Sequence, residues 1–418
     1  MSRDADLGRV VITGLGAISC LGIGADIQIQ KASFCQSGIG IFANDLPIPV
    51  GLACAGLVTV DLSPQFDSST LGMYDRVAHL SWIAAREALE HSGLKDLPEN
   101  ILDRCGIFWG TGFGGANTLE SAFDDIFIKQ KQRVRPFTVI GVMANGSAAL
   151  ISLKTGFKGP SMTYATACAS SAHAIGEAYR SIKHGYCERA IAGGAESLFT
   201  AASIKSWEAL KTLAIPDPKN IASSCKPFSK NRSGFVLGEG AAAIMLESLS
   251  SAKERGAIIL AEIIGYGTCS DSTHITKPDH LGQAKAMQQS LEEARLNTTA
   301  VVYINAHGTA TQVGDVTETT ALKKIFGDEG AKRLLVSSTK AIHGHTLGAA
   351  GALELLITVQ AMQKGIAPGT AFLEIPDPDC DLNFLPLRSV EIPIPYAMSN
   401  SFAFGGSNVS LLLARDVN

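Results

Sequence analysis

The chain has 418 residues, of which 46% are hydrophobic and 18% charged, with 42 glycines, nine cysteines and a formal net charge of −4. That balance excludes a disordered chain and gives no support to nucleic-acid binding or to a membrane-coating surface. The cysteines are odd in number and contain no Cys-x-x-Cys pair, which speaks against a zinc ribbon or a disulfide framework and suits a reducing compartment.

Residues 1 to 8 show no secretory leader, and no run reaches the roughly 18 apolar residues of a transmembrane span, so a soluble cytoplasmic protein is expected. Length alone suggests two or three domains. The first strand is predicted at Val10 to Thr13, ahead of a glycine-rich turn. Gly14-x-Gly16 after a strand hints at a dinucleotide-binding oxidoreductase. The third fingerprint position is Ser19, however, and no strand presents the acidic residue expected about 20 positions on, so that reading is set aside. Residues 76 to 93 read as an amphipathic helix with Gly93 as its C-cap. Ile107 to Gly110 is a short buried strand leading into Thr111-Gly112-Phe113-Gly114-Gly115, and the charge-rich residues 118 to 137 are expected to protrude.

Cys168 stands in Gly-Pro-Ser-Met-Thr-Tyr-Ala-Thr-Ala-Cys-Ala-Ser-Ser-Ala-His, residues 159 to 173. A strand-like run ends there and a helix of small residues, 168 to 185, follows. That places a thiol at the positive end of a helix dipole, where the thiolate is favoured. Ala167, Ala169, Ser170 and Ser171 leave room for a substrate to approach the sulfur. A buried inert cysteine is the commoner fate of a single thiol, and the local sequence does not choose between the two.

Further along, strands are predicted at Arg189 to Gly193 and Ile258 to Gly265. Two histidine segments then decide the matter. Asn305-Ala306-His307-Gly308-Thr309-Ala310-Thr311 follows the apolar run Val301 to Ile304. Ser338-Thr339-Lys340-Ala341-Ile342-His343-Gly344-His345-Thr346-Leu347-Gly348 follows Leu334 to Val336. One cysteine and two strand-end histidines form a nucleophile with two hydrogen-bonding partners. His343, His345 and His307 can also be read as a metal site, a weaker reading because short His pairs arise by chance. The windows 168–185 and 348–365 are both 18 positions long, open on small residues and end in a basic residue or histidine followed by glycine. Each comes after a strand, which suggests a duplicated βα unit with a boundary near Gly256.

These motifs, from Arg9-Val10-Val11-Ile12-Thr13-Gly14-Leu15-Gly16 to Asn400-Ser401-Phe402-Ala403-Phe404-Gly405-Gly406-Ser407-Asn408, resemble the elongating, Cys-His-His kind of β-ketoacyl-acyl-carrier-protein synthase, within the thiolase superfamily. The resemblance implies a thiolase fold, an α/β five-layered α-β-α-β-α sandwich with an N-terminal half at 1–256 and a C-terminal half at 257–418. It implies decarboxylative condensation of an acyl-enzyme with malonyl-acyl carrier protein, without a catalytic metal or organic cofactor. Cys168 would carry the acyl group, and His307 and His345 would stabilise the enolate. Lys340, Glu354, Asp315 and Glu318 would support them. The amides of Cys168 and Phe404 would form the oxyanion hole, with Phe404 also a gate. Phe113 would line the acyl pocket, and Arg133 and Lys211 would meet the acidic carrier protein. The implied partners are acyl carrier protein, malonyl and acyl thioesters, and a second subunit, either a copy of this chain or a chain-length-factor-like protein. A structural monovalent cation near Asn305 and Asn400 is compatible with the resemblance.

Three residues depart from the family pattern. His343 stands where threonine is usual. Ala403 replaces a glycine and is expected to stiffen the Phe404 hinge, and Phe113 is expected to shorten or redirect the pocket. They point to a specialised polyketide or polyene ketosynthase as the alternative to fatty-acid elongation. A degradative thiolase fits less well, because residues 402 to 408 contain no second cysteine.

Overall fold

The computed structural model describes residues 8–43, 46, 48–95 and 97–417. The reading of residues 1 to 8 therefore falls, apart from Gly8, outside the described residues. Ten strands carry the architecture: β1 Val10–Ser19, β2 Cys105–Gly110, β3 Ser161–Tyr164, β4 Arg189–Glu196, β5 Gly240–Ser248, β6 Ala261–Ser270, β7 Tyr303–Asn305, β8 Leu335–Ser337, β9 Tyr396–Phe402 and β10 Ser407–Ala414. Five helices matter to the site: α1 Arg76–Ser92, α2 Ser170–Lys183, α3 His280–Ala294, α4 Gln312–Phe326 and α5 Ala350–Lys364.

The strand order is β8-β7-β9-β10-β6-β1-β5-β4-β2-β3. Within β1 to β5 the order is first, fifth, fourth, second, third, and β6 to β10 repeat it. Each set runs antiparallel, antiparallel, parallel, parallel from its first strand outward. The two sets join through three residue pairs, Val10 with Ile263, Val11 with Glu262 and Ile12 with Ala261. This seam hydrogen-bonds the two sheets of the sandwich into one twisted surface.

The internal resemblance of windows 168–185 and 348–365 corresponds to α2 and α5, which follow the third strand of each set. Both helices pack on each other and on strands of both sets, while α1 covers β1 and β5 from outside and α3 covers β6 and β10. Every residue of α5 from Ala350 to Met362 is buried, most of them apolar and Glu354 paired with Lys340. Small residues permit the central contact: a Cβ on Gly351 would stand 2.8 Å from the Ala172 Cβ.

The predicted α1 ends as expected, with Gly93 in the left-handed region at φ 72° and its amide returning to the last turn. The strand starting near Ile258 begins later, at Ala261.

Candidate active site

Cys168 sits in a 3-10 turn, Ala167–Ala169, and α2 begins only at Ser170. Ala167 holds φ at 49°, a left-handed value that turns the chain sharply out of the β3 edge and presents the sulfur inward. His307 follows β7 and His345 follows the short helix Lys340–His343, so the duplicated topology brings both loops to the end of the central helices. The His345 backbone is pinned on both sides, its amide donating to Val236 O at 2.7 Å and its carbonyl accepting from Gly238 N at 3.0 Å.

The ligating atoms of Cys168, His307 and His345 all lie within 4.8 Å of one another. Their residues are 6, 9 and 1% exposed, at the floor of a cleft of about 340 Å³. His345 Nε2 is 2.9 Å from Cys168 Sγ, and the two imidazoles stand edge to face with centroids 5.5 Å apart. Phe235 packs edge-on against His345 and Phe402 against His307.

The hydrogen bonds at the far nitrogens set the tautomers. Leu347 N donates to His345 Nδ1 at 3.3 Å, and the Lys340 ammonium stands 3.4 Å from His307 Nδ1. A nitrogen that accepts cannot carry the proton, so in both neutral rings the proton sits on Nε2, facing the cleft. Burial and the Lys340 charge hold both rings well below the usual histidine range, which keeps them neutral at pH 7. The cleft is thus offered two N–H donors rather than two lone pairs, an arrangement suited to a developing oxyanion more than to a metal ion.

Burial also pushes the Cys168 thiol up to about 12, opposed first by Lys340. The expectation of a thiolate favoured at rest is corrected accordingly: desolvation outweighs the helix terminus.

Lys340 and Glu354 form an ion pair with both side chains 0% exposed, and the ammonium also donates to His307 O at 2.6 Å. Glu318 accepts from the amides of His307 and Gly308 at 2.9 and 2.8 Å. Asp315 accepts from Ala310 N and Phe228 N, so both carboxylates order the loop beneath His307. His343 turns away from the trio: its ring bonds Thr339 Oγ1 and Gly344 O, and burial lowers its pKa to about 3.

Phe404 lines the cleft and stacks on Trp207, with centroids 6.3 Å apart. Among the described residues, neither its amide nor that of Cys168 donates to another backbone group. The left-handed φ values of this segment fall on Gly405 and Gly406, at 83° and 76°, not on Ala403. The alanine is therefore accommodated in this conformation without strain.

Lys211 stands at the mouth of the cleft. Phe113 and Arg133 do not line it, and both are exposed. The Phe113 loop contributes backbone instead, since the Gly112 and Phe113 amides donate to Glu196. Glu196 itself escaped the sequence reading. Its signal was a carboxylate closing the otherwise uncharged run from Ala190 to Ala195. Buried acceptors without partners, Asn305 Oδ1, Asn400 Oδ1 and Glu354 Oε2, fit the hard oxygen ligands of a monovalent cation and would hold one there.

A buried thiol beside two imidazole N–H donors, on a duplicated α/β fold, is a set of groups suited to acyl transfer. Residues 8–252 match the model of the β-ketoacyl synthase N-terminal domain and residues 260–374 that of the C-terminal domain. The chain is 38% identical over 410 residues to 3-oxoacyl-[acyl-carrier-protein] synthase 2 of Staphylococcus aureus strain COL, covering 97% of this chain and 98% of that one. It is 40% identical over 413 residues to the enzyme of the same name from Coxiella burnetii, covering 97 and 98%. The chain belongs to the β-ketoacyl synthase family and is an acyltransferase of that family.

Solved structures agree in fold. A type II polyketide synthase ketosynthase in complex with its acyl-carrier protein superposes with TM-score 0.90 at 27% identity, covering 98% of this chain and 99% of that one. The ishigamide ketosynthase/chain length factor gives 0.90 at 29%, with the same coverage. A β-ketoacyl synthase from Burkholderia phymatum gives 0.88 at 34%, covering 98 and 100%.

Proposed function

We propose that this β-ketoacyl synthase elongates carrier-bound acyl chains with malonyl units by decarboxylative Claisen condensation. The observation that carries the reading is the convergence of Cys168 Sγ with two Nε2–H donors at the floor of one cleft. Cys168 attacks the acyl thioester, and the carrier thiol leaves with the proton, giving an acyl-enzyme. The malonyl carboxylate then departs as carbon dioxide, and its electron pair becomes an enolate whose oxygen accepts from His307 and His345. The enolate carbon attacks the Cys168 thioester. The tetrahedral oxyanion accepts from the Cys168 and Phe404 amides and collapses, expelling the cysteine sulfur as a thiolate, which takes up a proton from solvent to regenerate the thiol, and releasing the β-ketoacyl thioester. A degradative thiolase fits less well, because Cys168 is the single cysteine lining the cleft among the described residues.

Intact-protein mass spectrometry with acyl-carrier thioesters from two to sixteen carbons tests this. The expected result is one acyl mass on Cys168, and the preferred length separates fatty-acid elongation from a specialised polyketide or polyene role. No adduct from any donor, with or without a partner subunit, refutes the reading.

A second subunit is supported by a set of exposed apolar side chains and a sheet edge. Phe113, Phe123, Phe127, Ile128, Val139 and Met162 are exposed in the single chain, and β3, with Met162, is a sheet edge. Exposed apolar patches and unpaired edges of this kind mark subunit contacts. Sedimentation should show a dimer, and Ile128→Glu should shift it toward monomer, whereas a monomeric wild-type chain rules out self-association. The nine free thiols and the lack, among the described residues, of a helix long and apolar enough to cross a membrane support a cytoplasmic location.

A further inference from the structure

We propose that Glu196 is a positioning residue of the condensing site, tying the turn after His345 to the loop after β2 and so holding the His345 imidazole in the tautomer that faces Cys168. The inference rests on the functional reading above.

Glu196 is the last residue of β4 and is 0% exposed. Its Oε2 accepts from Gly112 N at 2.7 Å and from Gly348 N at 3.1 Å. Its Oε1 accepts from Thr111 Oγ1 at 3.2 Å and from Phe113 N at 3.3 Å. Among the described residues no Lys, Arg or His forms an ion pair with it. A buried carboxylate without a cation is costly: burial raises the Glu196 pKa to about 7, and four donors from two separate loops offset only part of that cost.

Two glycines keep the space open. A Cβ on Gly348 would stand 2.5 Å from Gly112 N and 2.7 Å from Glu196 Oε2, and one on Gly112 would stand 2.6 Å from the same oxygen. The two glycines thus keep open the gap that the Glu196 side chain occupies.

The connection to the chemistry runs through one residue. Gly348 follows Leu347, whose amide donates to His345 Nδ1 and thereby places the ring proton on Nε2, against the sulfur. If Gly348 drifts, the Leu347 amide leaves Nδ1 and the tautomer is no longer dictated. The Glu196 charge is also close enough to work against ionisation of Cys168.

Glu196→Gln tests the tie, because the amide keeps the size of the carboxylate but turns a donor toward backbone donors. Two readouts are needed: the condensation kcat, and the His345 tautomer by NMR of protein labelled with 15N-histidine. The wild-type enzyme is expected to show His345 protonated on Nε2. The variant is expected to populate the Nδ1–H form and to lose about 100-fold in kcat, the scale of a displaced catalytic group, with KM little changed. A wild-type rate in the variant, or a slow variant whose His345 remains wholly Nε2–H, overturns the proposal. Should Glu196→Gln fail to fold, Gly348→Ala breaks the same contact from the other side and is expected to give the same pair of changes. The tautomer is read without substrate, so it decides on Glu196 even if the wild-type chain forms no acyl-enzyme and the functional reading fails.

Discussion

Cys168→Gln should form no acyl-enzyme and condense nothing, while still releasing carbon dioxide from malonyl-acyl carrier protein. The reason is the division of labour proposed above. The sulfur would accept the acyl group, while the two imidazoles that would bind the enolate are held by other contacts. His345 is fixed by Leu347 N, Val236 O and Gly238 N, and His307 by Lys340 and Glu318. None of these passes through the thiol. A glutamine amide also presents an oxygen where the acyl carbonyl would lie, so the cleft floor stays filled. By contrast, His307→Ala should lower decarboxylation by about 100- to 1,000-fold, the usual cost of losing one preorganised donor. Assaying carbon dioxide release and acyl mass in parallel checks both. Loss of decarboxylation in Cys168→Gln, in a protein that still melts like wild type, contradicts separate roles for the cysteine and the histidines.

Lys340→Met carries the second large effect, on stability and its dependence on pH. Both members of the Lys340–Glu354 pair are fully buried, and removing one partner of such a pair costs about 3–5 kcal/mol. The sign with pH follows from Glu354. Burial raises its pKa to about 7, with Lys340 pulling the other way, so the variant's carboxyl should titrate higher still. A carboxyl raised above its unfolded value contributes most below the unfolded pKa, about 4.5, and loses that contribution as pH rises through the folded one. Lys340 also depresses His307 and His345, so its loss lets both rings move up and relieves their destabilising effect in acid. Both effects make the variant comparatively better off at low pH. Urea unfolding at pH 5.5 and pH 8.5 should therefore show a larger gap from wild type at pH 8.5. An equal gap, or a larger one at pH 5.5, shows that Glu354 and the histidines do not sense Lys340.

That Cys168, His307 and His345 would come together was legible because each sits in a short, chemically distinctive stretch at a strand end. The duplication was legible because α2 and α5 carry the same pattern of small and aliphatic residues at equal length. That pattern reflects a local necessity: the face that each helix packs on its twin must be apolar, and narrow where the two cross at Gly351 and Ala172. What sequence could not deliver were quantities set by partners far apart in the chain. Whether Cys168 rests as a thiol depends on how completely α2, β9 and the histidine loops exclude water, and burial there outweighs the helix terminus. The Phe113 loop also meets the site through its backbone, the Phe113 amide donating to Glu196, a contact that the residue's identity does not encode.

The sequence by itself determined which residue types could do the chemistry, and that two similar halves would carry them. Only the tertiary structure decided which nitrogen of each histidine bears the proton, that His343 faces away, and that Glu196 joins two loops. Residue identity is local information, whereas proton placement and pKa depend on which donors and charges the fold brings within reach, from Leu347 two positions from His345 to Gly348, 152 positions from Glu196.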